Sequence, residues 1–209
     1  MLSDRSVPFK QSADRTFLEA RIPNLALPAT VVVAERGAKV TLITGRVSLP
    51  TPRNVKRIDV DSADQMHRAV MGHKKNKDAI VMAAAVADYT PARYSSHKIK
   101  KETLSRDTLS LELKRTTDIL RQLGKEKHGP VLVGFALETD NGLRSAKKKL
   151  KEKNLDLIIL NNPLEEGAGF DTETNVVTMI PKRGKIERLK KMSKFDVANR
   201  ILDRVAKML

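Results

Sequence analysis

The sequence predicts an α/β protein with a mostly parallel central sheet flanked by helices, and three observations lead to this prediction. Predicted strands alternate with predicted helices, as the crossover connections between parallel strands require. Residues 78–86 form an almost continuously apolar run, which is typical of a parallel strand covered on both faces. Polar residues follow the ends of three predicted strands, where an open α/β sheet holds its ligands.

The first predicted elements lie between residues 28 and 86. Pro28 suits the first turn of a helix over 28–36, and Gly37 marks the end of that helix before a buried strand that reaches Gly45. A second helix over 62–70 begins at Ser62, a residue type favoured as a helix N-cap. The apolar run at 78–86 is then expected to be a central strand of the sheet.

A β excursion around 97–113 interrupts this alternation. It contains two β-like pieces, at 98–101 and 108–113, and in the second piece Leu109, Leu111 and Leu113 alternate as in a half-exposed strand. After the excursion, helices and strands alternate again to the C-terminus. We predict helices over 117–126, 141–153 and 194–208, strands over 130–136, 155–160 and 175–181, and a short strand near 185–189.

The composition restricts the class of protein. The 209 residues, 40% of them apolar, suffice for one domain with a core, and no apolar run approaches the roughly 20 residues that span a bilayer. The N-terminus lacks the apolar segment of a signal peptide, so we expect a cytoplasmic protein without a membrane anchor. The absence of cysteine excludes disulfides and thiolate-ligated metals. The four histidines show no metal-ligand spacing, so we predict no metal site built by the protein.

The net charge predicts anionic partners. Lys and Arg number 40 against 25 Asp and Glu, which gives a formal charge of +15. Such a charge attracts nucleic acid and small phosphates alike. Single-stranded nucleic acid is usually bound on aromatic platforms, whereas this chain has five Phe, two Tyr and no Trp, all scattered. Nucleic acid is therefore the less favoured partner.

Three polar features are expected along one edge of the sheet. The strand at 78–86 runs into Asp88 and Tyr89, the strand at 130–136 is followed by Glu138 and Thr139, and the strand at 155–160 is followed by two asparagines. Each feature alone is as well explained by turn formation and helix capping. Because the carboxyl ends of parallel strands share an edge, their coincidence favours a binding site.

At these positions the chain resembles the phosphopantothenoylcysteine synthetase domain of coenzyme A biosynthesis. The resemblance runs in order from Gly37 to the C-terminus. The motifs that carry it are Gly37 to Gly45 followed by Ser48-Leu49-Pro50-Thr51-Pro52, Ala84-Ala85-Val86-Ala87-Asp88-Tyr89, Lys98-Ile99-Lys100-Lys101, Asp118-Ile119-Leu120, Val133-Gly134-Phe135-Ala136 with Glu138-Thr139, Lys149, Lys153-Asn154-Leu155-Asp156, Gly169-Phe170 and Asn175.

The resemblance implies a Rossmann-like fold, a homodimer and a nucleotide-dependent ligase. In the bacterial branch of that family, the carboxylate of 4′-phosphopantothenate attacks the α-phosphate of CTP to give an acyl-cytidylate and pyrophosphate. The amine of cysteine then attacks the activated carbonyl and releases CMP. The resemblance also implies Mg²⁺ with the nucleotide, no flavin in this chain, and a phosphopantothenoylcysteine decarboxylase domain or partner. The preference for CTP over ATP is left open.

The resemblance also assigns candidate site residues. Lys98 is the implied catalytic residue, which holds phosphate oxygens, although the residues alone leave open a solvated lysine on an exposed strand. Asp88 is implied in nucleotide binding, directly or through a cation, and the loop with Gly169, Phe170 and Asn175 is expected to lie over the site. The implied nucleotide-binding set is Met82, Ala83, Ala84, Ala85, Asp88, Lys98, Thr117, Asp118, Ile119, Leu120, Phe135, Lys149 and Lys153.

The N-terminal segment departs from the family pattern. The family carries a glycine-rich phosphate loop and an Asn-x-Ser-Ser-Gly-Lys-Met-Gly stretch before its first helix, whereas this chain has no glycine before Gly37. Alignment without gaps leaves Arg15 opposite the family's arginine and Glu19 opposite its catalytic asparagine. We therefore divide the chain into an atypical or truncated segment 1–32 and a synthetase domain 33–209. A shifted reading frame and genuine divergence both remain open explanations.

Two alternatives to the ligase are kept. One is a catalytically silent basic module that binds nucleotide or nucleic acid, because the implied catalytic set is incomplete. The other is a nicotinamide-dependent oxidoreductase on a similar sheet, which the absence of a G-x-G-x-x-G motif disfavours. Thermal unfolding with CTP, ATP and short oligonucleotides separates these functions, because specific stabilisation by CTP follows mass action and oligonucleotide binding fades with salt.

Overall fold

The computed structural model describes residues 15–21, 27–98, 108–126, 129–168 and 172–209. The strands are β1 (Thr16–Arg21), β2 (Lys39–Gly45), β3 (Val55–Val60), β4 (Ala79–Met82), β5 (Tyr89–Pro91), β6 (Leu113–Arg115), β7 (Val131–Leu137), β8 (Leu157–Asn161), β9 (Thr174–Asn175), β10 (Val177–Pro181), β11 (Glu187–Arg188) and β12 (Met192–Ser193). The helices are α1 (Leu27–Glu35), α2 (Ala63–His73), α3 (Ile119–Leu123), α4 (Gly142–Glu152) and α5 (Lys194–Ala206).

Eight strands form the central sheet, in the order β11-β10-β8-β7-β4-β1-β2-β3. Within this sheet, the neighbouring strands β8, β7, β4, β1, β2 and β3 pair in parallel. β10 pairs antiparallel with β8, and β11 pairs antiparallel with β10. The order β3-β2-β1-β4, continued outward by β7 and β8, is that of the Rossmann fold. The predicted fold class is therefore confirmed, including its mostly parallel sheet.

Helices cover both faces of the sheet. Buried residues of α1 and α5 form one core with one face, and those of α2, α3 and α4 form a second core with the other face. All four residues of β4 are buried, as a central strand between two helical layers requires. In the neighbouring β1, Phe17 belongs to the first core and Leu18 to the second.

The strand β1 was not predicted from the sequence. This strand lies between β2 and β4 in the middle of the sheet, so residues before 33 contribute to the fold. At its amino end, Asp78 accepts a hydrogen bond from the Thr16 backbone N–H at 2.7 Å and pairs with Arg15 at 3.3 Å. The predicted helix 28–36 is confirmed by α1, while residues 1–14 and 22–26 lie outside the described residues.

Most predicted elements are confirmed within a few residues, and the β excursion needs correction. The strand predicted at 78–86 ends at Met82. The strand predicted at 108–113 begins only at Leu113, where β6 pairs with β5, and Leu109 and Leu111 are exposed outside it. Lys98 belongs to no strand, and the rest of the piece predicted at 98–101 lies outside the described residues.

Two further differences from the prediction concern the end of α4 and the strand β3. The helix predicted over 141–153 ends at Glu152, so Lys153 is its C-cap. β3 was not predicted, because only Ile58 and two valines interrupt its charged residues.

In the part of the chain that the structure describes, no helix combines the length and apolar character that crossing a bilayer demands.

Candidate functional site

A cleft of about 130 Å³ lies beside the carboxyl end of β4. Its wall is built from the loop that follows β4, the segment that leads into α3, and single residues of β7 and the end of α4. The lining residues are Met82, Ala84, Val86, Asp88, Thr116, Thr117, Asp118, Ile119, Leu120, Phe135 and Lys153. The volume is below the roughly 300 Å³ at which ligand pockets usually begin, so only part of a nucleotide fits inside.

Hydrogen bonds hold the two ends of the β excursion together at this cleft. The Thr116 backbone N–H donates to the Asp88 carbonyl at 2.9 Å, and the Thr116 hydroxyl donates to the Ala87 carbonyl at 2.6 Å. One residue further on, Tyr89 of β5 faces Arg115 of β6 in the antiparallel pair. Tyr89 also raises the pKa of the exposed Arg115, mainly through a side-chain hydrogen bond. These bonds place Asp88 and Thr117 on one wall.

Asp118 joins α3 to the lysine at the end of α4. Its side chain caps α3 by accepting the Arg121 backbone N–H at 3.0 Å. The same carboxylate lies 3.0 Å from the Lys153 ammonium, and both side chains are partly exposed. Lys153 therefore lines the cleft with its charge balanced by a carboxylate from the opposite wall.

Lys149 has a carboxylate partner of its own. Its ammonium lies 2.6 Å from Glu138, the residue that follows β7. Lys149 lies four residues before Lys153, a spacing that places two side chains on the same face of a helix. Lys149 nevertheless does not line the cleft. The two lysines are thus each paired with an acid, so an anion is not needed to relieve their mutual repulsion.

Close packing of α3 on the sheet forms the floor of the cleft. A Cβ atom added to Gly134 of β7 would lie 2.8 Å from a methyl group of Leu155 and 3.1 Å from one of Leu120. The glycine therefore lets Leu120 of α3 approach the sheet, next to the half-buried Phe135. A second glycine, Gly124, lets the end of α3 contact the backbone of Lys153.

Nine of the thirteen predicted residues line this one cleft. They are Met82, Ala84, Asp88, Thr117, Asp118, Ile119, Leu120, Phe135 and Lys153. The other four, Ala83, Ala85, Lys98 and Lys149, do not line it. Lys98 is exposed and none of its contacts to described residues is short enough for an ion pair or hydrogen bond, so its assignment to the site stays a prediction.

Some residues of the expected site do not line the cleft. Asn175 is buried in β9, while Gly169 and Phe170 lie outside the described residues. Arg15, which alignment without gaps placed opposite the family's arginine, lies at the amino end of β1 beside Asp78. That edge of the sheet is opposite the cleft, so Arg15 cannot serve the site.

Two lining residues, Val86 and Thr116, were not predicted. Val86 stands between Ala85 and Asp88 in the motif itself, so its position was available as a signal. Thr116 carries no motif, and its place follows only from its hydrogen bonds to the loop after β4. Pairing across the excursion, rather than any local pattern, brings Thr116 to the cleft.

The donor set of the cleft suits a nucleotide that arrives with a cation. The hydroxyl and backbone groups of Thr117 can bind a base or ribose, whereas the donors of Thr116 are already used within the loop. Lys153 can bind an anion. Asp88 and Asp118 supply the carboxylate oxygens through which proteins usually bind Mg²⁺ together with substrate phosphates. Within the described residues, no group of three His, Cys, Asp or Glu side chains could hold a metal ion without such a ligand.

Larger grooves lie away from these residues. One, of about 560 Å³, is bordered by the loop after β8 and the segment around β11. Four of its five charged residues form two ion pairs, Arg188 with Glu165 at 2.8 Å and Lys191 with Glu166 at 3.3 Å, and the fifth is Lys190. None of the predicted residues lines this groove.

Comparison with known proteins places these features in a family. The family model described as "DNA/pantothenate metabolism flavoprotein C-terminal domain" matches residues 27–209. The coenzyme A biosynthesis bifunctional protein CoaBC of Bacillus subtilis is 41% identical over 202 residues, 95% of this chain and 49% of that protein. A cysteine/cysteine sulfinic acid decarboxylase from an unknown prokaryotic organism is 42% identical over 174 residues, 82% of this chain and 48% of that protein.

A solved structure extends the comparison to three dimensions. The crystal structure of the C-terminal domain of a coenzyme A biosynthesis bifunctional protein CoaBC superposes with a TM-score of 0.79 and 30% sequence identity. The match covers 97% of this chain and 98% of that one. The chain spans about half the length of the curated relatives described above.

Proposed function

The chain belongs to the family of the DNA/pantothenate metabolism flavoprotein C-terminal domain, and from this premise we propose that it ligates 4′-phosphopantothenate to cysteine in coenzyme A biosynthesis. The proposed reaction is driven by CTP through an acyl-cytidylate. The observation that carries the proposal is the cleft, where nine residues assigned by resemblance from four separate parts of the chain lie together. The relatives named CoaBC support the pathway.

In the proposed reaction the two substrates are anions and the chain supplies the cations. The carboxylate of 4′-phosphopantothenate attacks the α-phosphorus of CTP and displaces pyrophosphate, and the cysteine amine then displaces CMP from the acyl carbon. Lys153 and Lys149 bind the nucleotide, and Lys98 holds phosphate oxygens as charge moves at phosphorus. Asp88 and Asp118 are suited to the Mg²⁺ that enters with CTP, which neutralises the triphosphate when bound.

We expect CTP binding with little turnover. CTP should raise the melting temperature by mass action. At a CTP concentration of 100 times Kd, the free energy of unfolding should increase by about 2.7 kcal/mol. CMP release with 4′-phosphopantothenate, cysteine and Mg²⁺ should be slow compared with a variant given the family's glycine-rich and Asn-x-Ser-Ser-Gly-Lys segment. ATP and a short oligonucleotide serve as comparison ligands.

Each outcome of that experiment has a clear meaning. Turnover of about 1 s⁻¹ or faster by the unaltered chain would show that its N-terminal segment supplies a substitute for the asparagine. CTP binding without turnover in either version favours the silent nucleotide-binding module, the second candidate function. A shift with the oligonucleotide that fades with salt, and none with CTP, contradicts both proposals.

The proposed homodimer uses the exposed apolar residues of 89–94 and 109–113, at and beside the β excursion, as its contact surface. Tyr94 is 94% exposed and Leu111 62%, and Tyr89, Leu109 and Leu113 are each at least half exposed nearby in the chain. Such a concentration of exposed apolar side chains marks an interaction surface. A second copy of the chain is the proposed partner, and a decarboxylase domain or partner is a further proposal from the bifunctional relatives.

Disruption of the excursion should yield monomers. Leu111→Lys places a charge in the proposed contact, so light scattering should change from twice the mass of the chain to the mass of one chain. Leu164→Lys makes the same change at a side chain that is 75% exposed in the loop after β8, and it should remain dimeric. Equal masses for the two variants would contradict the proposed contact surface.

A further inference from the structure

Glu138 is held firmly at the carboxyl end of β7. Its backbone N–H donates to the Asn161 carbonyl of β8 at 3.1 Å. A Cβ atom added to Gly142, at the start of α4, would lie 3.2 Å from the Glu138 Cβ, so little space separates them. The side chain is one-fifth exposed, and its carboxylate accepts a hydrogen bond from Lys149 at 2.6 Å. Glu138 is therefore a fixed anchor for a lysine that is itself 44% exposed.

The anchor lies at the edge of the sheet that the cleft occupies. β4 and β7 are parallel neighbours, with Met82 paired to Gly134, so the loop after β4 and the residues after β7 leave the sheet side by side. Glu138 draws the Lys149 ammonium toward this edge. A lysine of α4 without that partner would extend into solvent, as long charged side chains on exposed helix faces do.

A carboxylate at this place is unfavourable for an anionic ligand unless it has another use. A negative charge beside the proposed nucleotide weakens the attraction of the site for phosphate. A lysine free to rotate, in turn, loses side-chain entropy when a ligand immobilises it, and a lysine already held in place loses less. The geometry favours the second effect, the smaller loss of side-chain entropy, because the fixed Glu138 carboxylate holds a Lys149 side chain that would otherwise be free to rotate.

We propose that Glu138 is a positioning residue that holds Lys149 ready for an anionic group of the nucleotide, an inference that rests on the proposed function. Glu138 touches the nucleotide only through Lys149. Simple electrostatics and positioning predict opposite signs for its removal: loss of the negative charge alone should tighten CTP binding, whereas loss of the anchor should weaken it.

The test is CTP titration by calorimetry of five variants of the full chain, one of which is Lys149→Gln as the reference for the double variant. Glu138→Gln should raise Kd about threefold to tenfold, the cost of immobilising one more long side chain. Glu138→Asp keeps the charge but shortens the reach, and it should weaken binding as well. In a Lys149→Gln background, Glu138→Gln should cause no further rise. Glu165→Gln breaks a similar pair with Arg188 in the groove away from the cleft, and it should leave Kd unchanged.

The outcomes separate this inference from the proposed function. CTP binding by the unaltered chain, with Kd unchanged or lower in Glu138→Gln and Glu138→Asp, overturns the positioning role and leaves the proposed function standing. An equal loss with and without Lys149 also overturns it, because Glu138 then acts on the fold. Absence of CTP binding by the unaltered chain overturns both.

Discussion

Replacement of Gly124 by alanine should lower the free energy of unfolding by about 3 kcal/mol, the upper part of the usual range for added volume in a packed site. The new Cβ would overlap the Lys153 carbonyl oxygen and lie 2.9 Å from the carbonyl carbon. For a domain of this size the melting temperature should fall by roughly 6–12 °C. Chemical denaturation with urea measures the change directly.

The loss should be large because both sides of the contact are backbone. Gly124 ends α3 and Lys153 ends α4, and the Asn154 side chain donates to the Gly124 carbonyl at 2.8 Å. Asn154 itself has φ 51°, a left-handed conformation that holds the turn after α4 in place. A flexible side chain could move away from a new methyl group, but these two chain ends cannot separate without breaking that hydrogen bond.

Gly72→Ala is the matched control. Gly72 is exposed in α2, and a Cβ added there meets no atom within 4 Å. The same methyl group should therefore stabilise the protein, by about 0.5–1 kcal/mol, since alanine favours a helix over glycine. Equal effects of the two substitutions would contradict the contact between α3 and α4. Loss of CTP affinity is expected only for Gly124→Ala, because it displaces Lys153.

The sequence predicted the elements whose burial leaves a pattern. β4 showed its apolar run, and α2 began where Ser62 predicted, with its hydroxyl accepting the Gln65 backbone N–H at 3.2 Å. The prediction beyond Met82 was wrong, because the three alanines that follow are apolar like a strand, although they lie in a loop and Ala84 lines the cleft. Apolar character indicates that a residue is shielded from water, but it does not show whether the residue belongs to a strand or to a loop.

β1 was missed for a different reason. Its central position depends on two adjacent large side chains, Phe17 and Leu18, that enter opposite cores. Two apolar residues beside charged ones give no period in a window of six residues. The pairing of β1 with β2 and β4 is a long-range property, which only the assembled sheet reveals.

The candidate site divides in the same way. Resemblance assigned residues spread from Met82 to Lys153, and the fold brings most of them to one cleft. The acids themselves stand in the quoted motifs, but their pairing with the lysines had no sequence signal. Glu138 and Lys149 are joined across a strand end and a helix, and Asp118 and Lys153 across two helix ends. Lys98 is a residue for which resemblance still stands alone, and it therefore needs the sharpest test.

Lys98→Ala should slow CTP-dependent ligation on the order of a hundredfold, corresponding to about 3 kcal/mol for one electrostatic donor at the reacting phosphate. The side chain is exposed and pairs with no described acid, so its ammonium is available to phosphate oxygens and its removal should not affect folding. Single-turnover release of pyrophosphate measures the first half-reaction, in which the proposed role lies. By the family resemblance, the asparagine that Glu19 replaces serves the later transfer of the acyl group to cysteine, so this measurement does not depend on it.

Lys75→Ala removes the same charge at the opposite edge of the sheet, in the exposed turn between α2 and β4. Both variants change the net charge by one, so general attraction of CTP to a basic protein weakens equally in the two. A loss of pyrophosphate release in Lys98→Ala alone therefore reports a local contact with the nucleotide. Equal rates and equal CTP affinities in the two variants would remove Lys98 from the site, and the activating cations would then have to come from Lys149 and Lys153.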